Sequence, residues 1–346
     1  MEPIAPMLLR PIAKARAWGG GTFVERGKFA APAAGAAPIG ESWELCDLPE
    51  SVAAGCSEIE AGAFAGRTLR EALHHDARAI MGRAHLSAIG RFPLLVKFLD
   101  AAEHLSVQVH PTAAFAETTP GAHLKSETWL VLHAAPGARI WRGVRPSVTR
   151  EAFERTLRSG GDILPMLVEV PVRTGDRVDL PSGLCHALGE GLTVAEVQTP
   201  SDTTFRVFDW HRGDPGRPLH LDQALACMQF GAAQELERFP VQNAADLPAV
   251  QTRQFRTTLL SRTEHYRIER LEALEDAEIP VITHQRPACW MVLEGRLRFG
   301  GATPVEAGPW RTLLVPAASE GLPVRLDRGT VVLRAAVPDP MDRWLA

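Results

Sequence analysis

The chain has 346 residues, a formal net charge of −4 and 45% hydrophobic residues, enough to bury the core of one large or two smaller domains. Its basic residues are scattered, which indicates neither a nucleic acid nor an anionic membrane as partner. No apolar run approaches a membrane span, and the first residues have no secretory h-region. Five cysteines without CxxC spacing predict reduced thiols and a cytoplasmic location.

The residue pattern predicts many short strands and few helices, since 27 prolines and 29 glycines favour turns. Residues 40–60 and 92–110 are predicted to form strands. Between them, apolar periodicity predicts a helix over 68–90, with the glycine at its end as the stop signal. Two further helices are predicted at 147–161 and 221–230.

The chain beyond residue 255 is predicted to be a second domain. Its strand-like segments are separated by Gly295, Gly308 and Pro316, a spacing typical of a small antiparallel barrel or jelly roll. We therefore expect a first domain with helical insertions at 1–250 and a smaller β-barrel at 255–346.

Four separated side chains form a candidate metal site. Gln108 and His110 are two residues apart in the alternating segment LSVQVH, so both point to one face of the strand. Glu127 opens another apolar run, in which Lys125 shares its face, and His186 ends the segment GDRVDLPSGLCHAL. Two imidazoles, one carboxylate and one amide suit a divalent ion, zinc best, with a position left open for water or substrate.

The spacing around the last histidine strengthens that prediction. Gly175-x5-Pro181-x-Gly183-x2-His186 is the spacing of the second motif of the cupin barrels. The stretch 108–127 resembles the first cupin motif, with glutamine in place of the first histidine and a longer gap before the glutamate. The Pro-x-Gly turn sets a tight hairpin that aims the histidine into the mouth of a barrel.

Several segments together resemble the type I phosphomannose isomerases, in particular the short bacterial form. The segments are WGG (18–20), GESWEL (40–45), FPLLVKFLDAAEHLSVQVHP (92–111), KSETW (125–129), LPSGLCHALGEG (180–191) and EVQTPSDTTFRVFDW (196–210). The resemblance implies a mainly β fold of two cupin-type β-barrels (jelly rolls), with a few helices inserted in and after the N-terminal catalytic one. It also implies one Zn²⁺ per chain, with ligands at the positions that match Gln108, His110, Glu127 and His186. Some short bacterial members are described with only the two histidines and the glutamate.

The same resemblance implies an aldose–ketose isomerase that interconverts mannose 6-phosphate and fructose 6-phosphate through an enediolate. Arg206 matches an active-site arginine of the family, and we expect it to neutralise the enediolate or a substrate oxygen. The general base stays open among Lys125, Asp202 and a zinc-bound water. Lys97 and Ser106 are candidates for binding the phosphate.

Other functions remain open at this point. A cupin dioxygenase uses a similar set of two histidines and one glutamate around iron, and a cupin can bind a sugar phosphate without converting it. The triplet at 19–21, GGG, is not expected to follow a strand and open a helix, so a nucleotide-binding loop is not predicted. The expected partner is a small sugar phosphate, without nucleic acid or membrane, and the expected assembly is a monomer or homodimer.

Overall fold

The structure is a computed structural model that describes residues 3–214 and 216–338. The strands within these ranges are β1 (Met7–Leu9), β2 (Ile12–Gly20), β3 (Ile39–Leu45), β4 (Ile59–Gly62), β5 (Leu95–Ala101), β6 (Val107–Val109), β7 (Glu127–Ala134), β8 (Arg139–Val144), β9 (Leu167–Pro171), β10 (Asp176–Leu180), β11 (His186–Leu188), β12 (Leu192–Gln198), β13 (Phe205–Phe208), β14 (Gln242–Asn243), β15 (Ala249–Gln251), β16 (Phe255–Arg262), β17 (Arg267–Ala273), β18 (Ala277–Pro280), β19 (Ala288–Glu294), β20 (Leu297–Phe299), β21 (Val305–Ala307), β22 (Thr312–Val315), β23 (Pro323–Leu326) and β24 (Val331–Ala336). The α-helices are α1 (Thr22–Glu25), α2 (Leu69–Met81), α3 (Ala113–Thr118), α4 (Arg150–Arg158) and α5 (Leu221–Cys227). The prediction of a mainly β chain with few helices is confirmed. None of these helices has the length and apolarity needed to cross a membrane.

The chain divides into two compact units that are interleaved in sequence. One unit holds Ala13–Glu41 and Phe98–Asn243. The other holds Ser42–Lys97 with the described residues of Met1–Ile12 and Ala244–Ala346. N-terminal strands belong to this second unit because β1 pairs with both β22 and β4. A division into independently folding domains at 250–255 stays a prediction.

The first unit is a sandwich of two antiparallel sheets. One sheet runs β14-β10-β7-β12-β5-β2-β3, and the other runs β13-β6-β11-β8-β9. Large apolar side chains from both sheets fill the space between them, among them Trp129 and Val178 from the first and Ile140 and Leu188 from the second. Alternation along each strand supplies this layer, because every second side chain points inward.

The opposite face of the five-stranded sheet is covered by helices. Val107 and Val109 of β6 point to that face and pack with Phe153 of α4 and Leu225 of α5. The residues between them therefore point into the sandwich, which is where Gln108 lies. Helices α4 and α5 lie within the predicted segments 147–161 and 221–230, and both predictions are confirmed.

Helix α2 confirms the first predicted helix but ends earlier than the sequence pattern indicated. Thr68 caps its N-terminus in a capping box with Glu71. The helix ends at Met81 because Gly82 adopts φ 57°, so the predicted stop at Gly90 is wrong.

The reading of the glycine triplet is corrected as well. Strand β2 ends at Gly20 and helix α1 begins at Thr22, so the triplet does join a strand to a helix. The helix is a single turn, and the carboxylate of Asp100 accepts hydrogen bonds from the backbone N–H and the hydroxyl of Thr22, both at 2.8 Å. A protein carboxylate thus takes the place that a phosphate would occupy in a nucleotide-binding loop.

The second unit also contains a two-sheet sandwich. An eight-stranded sheet runs β15-β16-β17-β24-β19-β22-β1-β4, and a four-stranded sheet runs β18-β23-β20-β21. Leu271, Val292 and Val332 of the larger sheet pack with Phe299 and Val324 of the smaller one. The strands predicted beyond residue 255 are confirmed, and they form this core.

One glycine sets how closely β11 approaches β8. A Cβ atom on Gly189 would lie 1.9 Å from the carbonyl oxygen of Arg139, so the backbones meet there without room for a side chain. We expect Gly189→Ala to destabilise the fold by about 2–3 kcal/mol, because one strand must shift. Thermal unfolding measures the loss. Gly308→Ala, where a Cβ meets no atom within 4 Å, is the matched control and should leave Tm unchanged. Equal Tm values for both variants would contradict the close approach.

Candidate metal centre

Three chain-distant side chains converge inside the first sandwich. His110 directly follows β6 and His186 opens β11, both on the five-stranded sheet. Glu127 opens β7 on the facing seven-stranded sheet. All three side chains are buried, and one potential ligand atom from each lies within 4.8 Å of the others. The two sheets therefore bring together a His–Glu–His group, as the sequence pattern predicted.

The carboxylate of Glu127 lies between the two imidazoles. Its Oε2 is 3.3 Å from Nε2 of His110, and its Oε1 is 3.1 Å from Nε2 of His186. Neither carboxylate oxygen of Glu127 and neither ring nitrogen of His110 has a hydrogen bond of good geometry, although the ammonium of Lys125 forms an ion pair with Oε2. Buried polar atoms in folded proteins nearly always have a partner, so this group needs a further one.

The orientation of His186 defines what that partner is. Its Nδ1 lies 2.8 Å from the carbonyl oxygen of Leu184, so Nδ1 carries the proton and donates it there. The lone pair of Nε2 then faces the lone pairs of Glu127 Oε1. Two acceptors at this distance repel each other unless a cation lies between them. The donor set of two nitrogens and one carboxylate fits a borderline divalent ion.

Burial and charge set the protonation of these ligands. Burial, with the nearby charge of Lys125, lowers the pKa of His110 to about 3. Burial raises the pKa of Glu127, but Lys125 and the two histidines lower it by more than burial raises it. The pKa of Glu127 therefore lies well below its usual value. At neutral pH His110 is therefore neutral and Glu127 is ionised, the forms that bind metal.

Gln108 lies beside the three ligands. In the pairing of β6 with β11 it is directly opposite His186, and its amide nitrogen is 3.4 Å from Nε2 of that ring. Rotating the amide by 180° would present its oxygen instead. Its position agrees with the predicted role, and metal ligation by Gln108 stays a prediction.

Lys125 is the predicted catalytic residue that lies within the cluster. It precedes β7 instead of lying on it, and its buried ammonium is 3.0 Å from Oε2 of Glu127. Its charge offsets the cost of burying that carboxylate.

Arg206 and Asp202 lie in different surroundings. Arg206 is paired with Gln108 across β13 and β6, so both point to the inner face. Its Nη1 donates to the carbonyl oxygen of Pro218 at 2.8 Å, and its Nε is buried without a hydrogen-bond partner. Asp202 is exposed, and no ion pair joins it to Arg206 in the part of the chain that is described.

The two predicted phosphate ligands are both buried. Ser106 immediately precedes β6 and is 4% exposed. Lys97 lies on β5, and its ammonium is 5.3 Å from the ring centroid of Trp43. Contact of either residue with a phosphate stays a prediction.

Sequence reasoning missed two buried polar residues near the cluster. Arg142 is directly opposite His186 across β8 and β11, and its Nε donates to the carbonyl oxygen of Asp179 at 3.1 Å. Glu196 accepts a hydrogen bond of 2.9 Å from Nε1 of Trp129, whose ring contacts His186 edge-on. Glu196 lies in a segment that carried the family resemblance, whereas only strand pairing reveals Arg142.

Comparison with known proteins gives the family. Residues 7–131 match the model of the phosphomannose isomerase type I catalytic domain. A mannose-6-phosphate isomerase from Streptococcus mutans is 34% identical over 229 residues, covering 65% of this chain and 68% of the relative. The chain belongs to the type I phosphomannose isomerase family. The resemblance drawn from the sequence motifs is thereby confirmed.

Solved structures of this family share the fold. A crystal structure of the mannose 6-phosphate isomerase from Bacillus subtilis covers 96% of this chain and 100% of its own, with a TM-score of 0.80 and 25% identity. A zinc-bound mannose 6-phosphate isomerase covers 96% of this chain and 99% of its own, with a TM-score of 0.68 and 17% identity. The second likeness concerns the fold alone.

Removing one imidazole should remove the metal. We expect His186→Ala to lower bound divalent metal from about one per chain to a small fraction, because one imidazole and one carboxylate hold a divalent ion much more weakly than the complete group. Metal analysis after dialysis measures it, alongside the rise in Tm on adding zinc. His133→Ala, an exposed histidine on the same strand as Glu127, is the control and should keep the metal. Full metal retention by the His186 variant would refute the site.

Proposed function

We propose that this chain is a zinc-dependent aldose–ketose isomerase that interconverts mannose 6-phosphate and fructose 6-phosphate. The observation that carries the proposal is the buried His110–Glu127–His186 group, whose unsatisfied atoms need a cation, in a member of the type I phosphomannose isomerase family. The named activities and zinc binding of the relatives agree with it.

His110, Glu127 and His186 would hold the ion, with Gln108 as the predicted fourth ligand. When bound, zinc polarises sugar oxygens and stabilises negative charge that develops on them. The ligands come from two facing sheets, so the sandwich fixes their geometry before substrate arrives. Burial excludes water and strengthens each electrostatic interaction there.

The chain's own residues supply the remaining steps of the proposed reaction. A proton leaves the carbon next to the carbonyl and returns to its neighbour, through an enediolate. Arg206, on the inner face beside Gln108, is assigned to neutralise charge on a substrate oxygen. Lys125, whose ammonium is 3.0 Å from Glu127, is placed to donate to a substrate oxygen. The proposed candidates for the general base are Lys125, Asp202 and a zinc-bound water. Lys125 is buried beside Glu127, whereas Asp202 is exposed.

Lys97 and Ser106 are proposed for the phosphate, and a monomer or homodimer for the assembly. All five cysteines are free thiols, which supports the proposed cytoplasmic location.

Turnover tests the proposal directly. The zinc-loaded protein should convert mannose 6-phosphate to fructose 6-phosphate in a coupled assay, and chelation should abolish conversion that zinc then restores, because the ion stabilises the charge that develops. Oxygen consumption is followed in parallel. Oxygen uptake with iron and no isomerisation would assign the chain to the dioxygenase alternative, and tight binding without conversion would make it a binder.

Arg206→Ala should lower kcat by roughly 10²–10³-fold, as expected for one charged donor to a developing oxyanion. Metal content should stay at the wild-type level, because Arg206 is not a ligand. Arg238→Ala removes an arginine with a 70% exposed side chain and serves as control, with unchanged kcat. If both variants retain wild-type kcat, Arg206 has no part in the reaction.

A further inference from the structure

The sandwich of the second unit has a cavity of about 310 Å³ at its open end. Its floor is the inner face of the eight-stranded sheet. Arg267, Glu269 and Leu271 point inward from β17, and Leu271 reaches the apolar core. The cavity therefore lies directly above that core, at the end where inward-facing residues change from apolar to charged.

Strand register places two arginines side by side at the rim of this cavity. Arg262 of β16 is directly opposite Arg267 of β17. The next positions in the same row are Ala336 of β24 and Ala288 of β19, so no carboxylate continues the row. Like charges directly opposite each other destabilise a sheet. An anion between them would reverse that effect.

Two residues further along β17, the carboxylate of Glu269 forms ion pairs with two guanidinium groups. Glu269 Oε1 is 2.5 Å from Nη2 of Arg267, and its Oε2 is 2.8 Å from Nη2 of Arg334. Nε of Arg334 is buried without a hydrogen-bond partner. The lining residues include four arginines and this one carboxylate, since Arg262 and Arg286 are also among them. The cavity thus carries an excess of positive charge.

An arginine pair elsewhere in the same unit shows how the chain balances such charges. Arg298 of β20 is directly opposite Arg325 of β23 on the four-stranded sheet. That row continues into Glu306 on one side and Glu278 on the other. Both of those arginines are exposed and flanked by acid. Among the residues that the structure describes, the row of Arg262, Arg267, Ala336 and Ala288 has no flanking acid.

The apolar residues that line the cavity indicate an organic ligand with an anionic group instead of an inorganic ion alone. Trp290 lines it, with the guanidinium carbon of Arg334 5.6 Å from the ring centroid. Ile282 and Val337 add apolar surface, and the rim residue His284 adopts φ +51°. A volume of about 310 Å³ is near the lower end of the range for small-molecule sites. An indole beside guanidinium groups suits a ligand with a ring and an anionic group.

We infer that this cavity, defined by Arg262, Arg267, Arg334 and Trp290, binds a monosaccharide phosphate at a site separate from the metal centre. The arginines hold the phosphate, and the apolar side of the cavity contacts the sugar ring. The inference goes beyond the proposed isomerase activity and does not depend on it.

Calorimetric titration of the full-length, zinc-loaded protein with glucose 6-phosphate at low salt tests the inference. The double variant Arg262→Gln/Arg267→Gln should weaken one binding event by roughly tenfold or more, because two charged donors are lost. Arg298→Gln/Arg325→Gln removes the other opposed pair with the same charge change, and it should bind like wild type. Isomerase turnover should be unchanged in both, so a failure of the proposed function is read separately.

A second variant guards against misfolding. Ala336→Glu places a carboxylate opposite Arg267 and should weaken the same event by roughly tenfold without removing an arginine. Thermal unfolding confirms that each variant is folded. Equal binding by wild type and the Arg262/Arg267 variant would overturn the site. Inorganic phosphate binding as tightly as glucose 6-phosphate would overturn the assignment to a sugar phosphate.

Discussion

The contact of Glu127 with two imidazole nitrogens is the constraint on which the first unit depends. A buried carboxylate costs several kcal/mol unless charges compensate it. Lys125 supplies one charge, and the ring nitrogens supply lone pairs that need a cation in turn. The buried carboxylate, ammonium and imidazoles compensate one another only when all are present, and removing one leaves the others unpaired. The buried group is therefore best explained by a bound cation.

Strand alternation is what makes the group possible. On β6 the apolar residues Val107 and Val109 face the helices, while Gln108 faces the interior. The same rule places Arg206 beside Gln108 on the neighbouring strand. A shift of one residue in register would turn Gln108 into the helix layer and Val107 into the site. The close passage of Gly189 against Arg139 helps to hold β11 in that register.

The two units use one architecture with different side chains inside. In the first, inward positions hold histidines and a glutamate, which accept a cation. In the second, inward positions near the open end hold arginines around Glu269, which attract an anion. Each sandwich has an apolar layer beneath its polar end. The fold supplies a partly enclosed polar end in each sandwich, and the charge of the side chains there determines whether a cation or an anion binds.

The sequence by itself determined the strand-rich class, three helices and the candidate metal ligands His110, Glu127 and His186, because alternation, caps and the Pro-x-Gly turn are local signals that need no partner strand. The sequence also indicated membership of the type I phosphomannose isomerase family, through segments such as those around Glu127 and His186. Only the tertiary structure decided the early end of α2, the strand-to-helix step at 19–21 and the interleaving of the units. It alone revealed Arg142 opposite His186 and the opposed arginines of β16 and β17. These features depend on which strands pair and in what register, and pairing joins residues that are far apart in the chain.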